Sequence, residues 1–151
     1  MLRTGFTEAL KTAMKARQER AVSTLRLILA ALKDRDIAAR GKGNHDGISD
    51  EEIAQMLQSM IKQRRESIAL YEQGGRCELA EQEREEIVVI EVFLPKQLDE
   101  AATTEAVKGL IAELGATGIK DMGRVMGGLK AKYAGQMDFG RASQTVKQLL
   151  A

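Results

Sequence analysis

The sequence predicts an all-α chain, built as a helical N-terminal domain of about four helices followed by a small three-helix domain. Three observations carry this. Apolar residues recur at helical spacing through most of the 151 residues. Aromatic residues are scarce: there is no Trp, and only Phe6, Tyr71, Phe93, Tyr133 and Phe139 represent the class. Leu, Ile, Met and Ala must therefore fill the core, which suits helix packing better than sheets. Finally, the single proline, Pro95, follows a strong helical segment and marks a boundary, because the residue before proline avoids the α region.

Leu2, Phe6, Ala9, Leu10 and Ala13 fall on one helical face, and Val22, Leu25, Leu29 and Leu32 form a second stripe. No Gly or Pro separates the two, so the expected break near Gln18–Arg20 competes with one long helix. Residues 41–47, Gly-Lys-Gly-Asn-His-Asp-Gly, read as a loop. The third helix has the strongest start signal. Ser49 with Glu52 matches a capping box, and Ile48 with Ile53 matches a hydrophobic staple. Its stripe is Ile53, Met56, Leu57, Met60, Ile61, Ile68 and Tyr71, interrupted by Arg64. Gly74-Gly75 supplies a left-handed stop.

The fourth helix is expected from about Arg76 to Leu94. Its β-branched end, residues 87–94, is open to a strand reading. Helix is favoured because the preceding stretch is Glu-rich and because no second strand exists to pair with. A helix apolar on most sides is expected to be buried. In the second domain, residues 95–151, the first helix runs from about Glu100 to Leu114 and stops at Gly115. The second begins near Asp121 and uses Met122, Val125, Met126, Leu129 and Tyr133. The third is capped by Asp138 and uses Ala142, Val146, Leu149 and Leu150.

Charge is nearly balanced, at a formal +1, so no polyanion partner follows from the total. The distribution says more. Residues 1–33 carry Arg3, Lys11, Lys15, Arg17, Arg20, Arg26 and Lys33 against Glu8 and Glu19, and residues 77–91 carry six glutamates against Arg84. These segments pair with each other or present a basic surface. The acid-poor N-terminus also resembles an organelle presequence, but its stripe reads as a core face. Cys77 is the only cysteine, which excludes an internal disulfide and fits a reducing compartment, here taken as the cytoplasm. No apolar run reaches the ~20 residues that span a bilayer, and no membrane partner is expected.

No catalytic site, cofactor motif or metal-ligand spacing is found. His45, the sole histidine, sits in the polar loop, and Cys77 has no histidine partner in view. The basic run Lys62-Gln63-Arg64-Arg65-Glu66 is the first positive signal. Lys62 and Arg65 are helical neighbours, and Arg64 lies close enough to the apolar stripe to expect an ion pair with an acid of the fourth helix. The second signal is Gly123, Gly127 and Gly128 inside a helix, each costing on the order of 1 kcal/mol relative to Ala. They allow close approach of a neighbouring helix or of a nucleic-acid strand. Lys120, Arg124, Lys130 and Lys132 surround them, a local phosphate-binding patch without an aromatic platform for stacking bases.

Together these segments resemble the GatB/YqeY family, close to its stand-alone YqeY-like proteins. The matching residues are Leu25-Arg26-Leu27 with Lys33; Lys62 to Ile68 with Tyr71; Gly75-Arg76, Leu79-Ala80 and Glu83; and Leu94-Pro95-Lys96-Gln97-Leu98. In the small domain they are Asp121-Met122-Gly123, Val125-Met126, Asp138, Val146-Lys147 and Leu149-Leu150. Phe139 after Asp138 and Ala101-Ala102 depart from the pattern. The resemblance implies that the small domain is similar to the tail of the GatB subunit of tRNA-dependent amidotransferase. That tail helps engage tRNA, and similar modules are appended to some glutaminyl-tRNA synthetases. The family label is a carbon–nitrogen ligase with glutamine as amido-N-donor, but the catalytic domain of GatB has no counterpart here, so enzymatic activity is left open. The expected function is an accessory protein that binds tRNA, an aminoacyl-tRNA synthetase or amidotransferase subunits, and not DNA. Alternatives are an amidotransferase component that needs partner subunits, and a helical protein–protein adaptor. The expected RNA contacts are Lys120, Arg124, Lys130 and Lys132, then Arg26, Lys62 and Arg65.

Overall fold

The computed structural model describes all 151 residues and contains helices and turns but no strand. Seven α-helices follow in order: α1 (Leu2–Lys15), α2 (Glu19–Gly41), α3 (Asp50–Gln73), α4 (Cys77–Glu91), α5 (Glu100–Leu114), α6 (Met122–Lys132) and α7 (Phe139–Leu150). A 3-10 turn, Ile119–Asp121, leads into α6. The chain divides into two compact units, Met1–Leu94 and Pro95–Ala151.

In the first unit α1 and α2 are separate helices. The break falls at Ala16–Gln18, where Arg17 takes the left-handed conformation at φ 55°. That conformation is rare without glycine, which is why no sequence signal marks it. The loop after α2 returns the chain to α3, whose capping box is complete: Ser49 Oγ accepts the Glu52 N–H, and the Glu52 carboxylate accepts the Ser49 N–H. Gly75, at φ 71°, ends α3, with the Arg76 N–H donating to Tyr71 O (2.8 Å) and the Gly75 N–H to Glu72 O (3.2 Å). These two bonds form a Schellman motif, which folds α4 back against α3 as an antiparallel pair. The core holds Phe6, Leu25, Ile28, Leu32, Ile53, Met56, Leu57, Ile61, Ile87 and Ile90, with Phe93 edge-on to Phe6 at 4.8 Å.

Two expectations change here. Helix α4 ends at Glu91, not Leu94, and residues 92–94 form turns closed by Phe93 N–H to Ile90 O and Leu94 N–H to Glu91 O. The β-branched stretch is also not buried all round. Ile87 and Ile90 face the core, but Val88 and Val92 are 64% and 76% exposed. Helix α4 packs against α3 and α2, which leaves its remaining side to solvent.

The second unit has its own core of Val107, Leu110, Val125, Leu129, Met137, Ala142, Val146 and Leu150. Gly115 ends α5 at φ 64°, and Asp138 caps α7 by accepting the Gly140 and Arg141 N–H groups. Leu149, expected in the core, is 42% exposed. The segment before α5 is laced to the turn before α7. The Leu98 N–H donates to Gln136 O (2.8 Å), and Gln97 Nε2 donates to Gly135 O (2.6 Å).

Candidate nucleic-acid interface

The α5–α6 turn shows how the small unit places its cations. The Asp121 carboxylate accepts the Thr117 N–H at 3.0 Å. That bond, with help from Arg124, holds the carboxyl below its usual range. Arg124 reaches the other way, donating from Nη2 to Leu114 O at 2.8 Å. A cation on the last carbonyls of α5 complements the helix dipole. Arg124 is thus a turn clamp as well as a surface charge, and the Asp121-Met122-Gly123 segment is explained in part by this turn.

The glycines of α6 divide into two kinds. A Cβ on Gly128 would meet Leu110 Cδ2 at 2.8 Å, so this glycine admits α5. A Cβ on Gly123 or Gly127 would meet nothing within 4 Å. Gly123, Gly127 and Lys130, at spacings of four and three, lie along one exposed face of α6. Lys120 is exposed at its start. Lys130 and Lys120 carry no ion pair. Lys132 does, with Glu113 at 3.6 Å, and its ammonium also lies 5.9 Å from the Tyr133 ring centre.

In the first unit the expected contacts also divide. Arg26 and Lys62 are exposed and unpaired, whereas Arg65 faces Glu91 at 3.6 Å. Arg64 makes the expected ion pair: Nε donates to Glu86 at 2.8 Å, Glu83 lies 3.9 Å away, and Nη1 donates to Met60 O. Burial, reinforced by Glu86, pushes the Glu83 carboxyl up despite Arg64. One cluster lay beyond sequence reasoning. Arg3 grips Asp36 with both guanidinium nitrogens, at 2.5 and 2.8 Å, and donates to Ile48 O at 2.7 Å. The Ile48 N–H donates to Asp36 at 2.9 Å. Arg3 and these hydrogen bonds hold the Asp36 carboxyl at about 2.

His45 and Cys77 are both exposed. An open groove in the small unit is lined by Ile111, Ala112, Ala116, Thr117, Leu149 and Lys108, its one ionisable group. No cluster of three or more His, Cys, Asp or Glu side chains is arranged to hold a metal ion. No helix is long and apolar enough to cross a membrane.

The family model for YqeY-like proteins matches residues 3–150. The chain belongs to the YqeY-like family. Relatives include the protein named altered inheritance of mitochondria protein 41, mitochondrial, of Lachancea thermotolerans, 30% identical over 70% of this chain and 55% of that protein. Its namesake from Eremothecium gossypii is 31% identical over 56% and 44%, respectively. An uncharacterized protein of Schizosaccharomyces pombe is 30% identical over 55% and 63%. The chain thus spans about half the length of the relatives it matches. The cytoplasmic location expected from the sequence does not stand, because the two YqeY-like relatives whose names state a location are mitochondrial. A lone thiol indicates a reducing environment without distinguishing one such compartment from another.

Proposed function

We propose that this YqeY-like protein is an accessory factor that binds transfer RNA, or an enzyme bound to it, during aminoacylation or transamidation. In this reading residues 95–151 act as a GatB-tail-like module. One observation carries it: a Cβ on Gly123 or Gly127 of α6 would meet nothing within 4 Å, so the backbone is open there beside the exposed cations Lys120 and Lys130. Each glycine costs the helix on the order of 1 kcal/mol, and close approach of a phosphate backbone is a use for that cost. Lysine contacts of this kind position an RNA without reading its sequence. Arg124 and Lys132 contribute charge from their clamped positions.

The test is a gel shift with total tRNA across a salt series, with duplex RNA as competitor. The expected result is micromolar binding that prefers tRNA and weakens with salt as counterions are released. Lys120→Ala with Lys130→Ala should reduce it further. Absence of binding at low salt would discard the reading. A protein-adaptor function is the second reading, and the exposure of Val88 and Val92 on α4 favours it. It predicts a specific protein partner whose binding is lost in Val88→Ser with Val92→Ser.

A further inference from the structure

Helix α2 carries a second feature that the α6 face does not explain. Residues seven apart on an α-helix return to within about 20° of the same direction. Glu19, Arg26, Lys33 and Arg40 are spaced in this way, and all four are exposed. The buried residues of α2, Thr24, Leu25, Ile28 and Leu32, lie on another side, centred roughly 120° around the helix from the row. Arg26, Lys33 and Arg40 therefore form a straight row facing solvent, with steps of about 10 Å and a total length of about 21 Å. Glu19 is the one acid in register. It sits at the N-terminal end of the helix, where it offsets the dipole.

The three cations make no ion pair, although the charge of Arg40 also acts on Asp36, four residues before it. Arg3, Arg20, Arg64, Arg65 and Arg84 in the same unit all face carboxylates, whereas the row has no ion pair. The nearby acid Asp36 is already committed to Arg3 and to the Ile48 N–H. The Arg3–Asp36 contact also sets α1 antiparallel beside α2. Eight residues on from Arg3 and eight back from Asp36, Lys11 comes level with Ile28, between Arg26 and Lys33. Lys11 is itself exposed, which adds a cation at the same level of the first unit.

We propose that this α2 face is a separate RNA-binding surface, which takes the phosphate backbone of a folded RNA along the helix. The proposal rests on the tRNA reading above but extends Arg26, already an expected RNA contact, into a row with Lys33 and Arg40 in a different unit from the α6 face. A rigid row of fixed length suits a rigid polyanion. Leu27 and Ile37 of α2 are also exposed, at 49% and 55%, so an anionic membrane competes for this face, and the vesicle arm of the test separates the two.

The test compares tRNA binding across a salt series for four full-length proteins. These are the wild type, a row variant (Arg26→Gln, Lys33→Gln, Arg40→Gln), a charge-matched variant off the row (Arg35→Gln, Arg76→Gln, Arg84→Gln) and the α6 variant (Lys120→Gln, Lys130→Gln). Each lost phosphate contact lowers the log–log salt slope by about 0.7 to 0.9. The row variant should therefore lose a slope of about 2 and bind at least about tenfold more weakly at low salt, with the off-row variant close to wild type. Single substitutions, each losing part of that slope, serve if the triple variant does not fold. Row and off-row variants that bind equally, while the α6 variant is weakened, would overturn this surface and leave the tRNA reading intact. A wild type that does not bind tRNA overturns both. Row-dependent binding to phosphatidylserine vesicles without RNA binding would assign the face to a membrane instead.

Discussion

Two side-chain clusters decide how the first unit is held, and they respond differently to change. Asp36 joins α1, α2 and the approach to α3 through one carboxylate. The cluster also requires the neighbouring glycine: at φ +88°, a Cβ on Gly47 would lie 2.6 Å from Asp36 Oδ1. Its folded pKa is about 2, against an ordinary 3.8. A depressed carboxylate stabilises the fold fully above the unfolded pKa, and the contribution is lost as pH falls from about 4 to about 2. Asp36→Asn should therefore destabilise by about 2 kcal/mol at pH 7, the size of a charge-assisted hydrogen bond. Urea titrations of both proteins should converge as pH falls through that window. Arg64 presents the other case. It is 12% exposed, between Glu86 at 17% and Glu83 at 22%. Removing it leaves two half-buried carboxylates without their counter-charge, so Arg64→Ala should cost about 3 kcal/mol in chemical denaturation. Arg64 was legible from its place on an apolar stripe facing a Glu-rich helix. Arg3 and Asp36 were not, because they are separated by 33 residues and neither lies in a motif.

Helix by helix, local chemistry was read well wherever a cap or stop has a side-chain signature. Ser49 with Glu52, Asp138, Gly75 and Gly115 all act where they were expected. The break between α1 and α2 lacked such a signature, because it is made by an arginine in a glycine-like conformation. The run at the end of α4 misled for another reason. Apolar residues at consecutive positions do not say which of them face a neighbour, so Val88 and Val92 could be placed only by structure. The same limit applies to the cations. Arg124, an expected RNA contact, also donates to a backbone carbonyl of α5, a partner that no residue pattern advertises. Helix α6 gives the most direct separation of stability from function. Gly123→Ala and Gly127→Ala add a methyl group into open space and raise helix propensity by up to about 1 kcal/mol each. Thermal unfolding of the double variant should shift upward. If the open backbone serves RNA, tRNA binding should weaken in the same protein. Unchanged binding would mean that the glycines have no part in it.

For the molecule as a whole, the all-α class followed from composition and period alone, but independence of the two halves is a matter of cores. Each unit buries its own set: Phe6, Ile28, Ile53, Leu57 and Ile90 in one, and Val107, Val125, Leu129 and Val146 in the other. Substitutions far apart with no shared partner add in free energy, whereas those within one core couple. Leu57 is fully buried in the first unit and Leu129 in the second. Leu57→Ala and Leu129→Ala should each cost 2–5 kcal/mol, the range for a leucine cavity. If the units unfold separately, calorimetry of Leu57→Ala should move one transition and leave the other in place, Leu129→Ala should do the reverse, and the double variant should show both shifts without interaction. The same pair then bears on RNA binding. Near its own transition, Leu129→Ala should lose the α6 contribution and keep the salt dependence that comes from Arg26, Lys33 and Arg40. A single transition that shifts in both variants would show instead that the chain folds as one cooperative body, and the two surfaces would then be lost together.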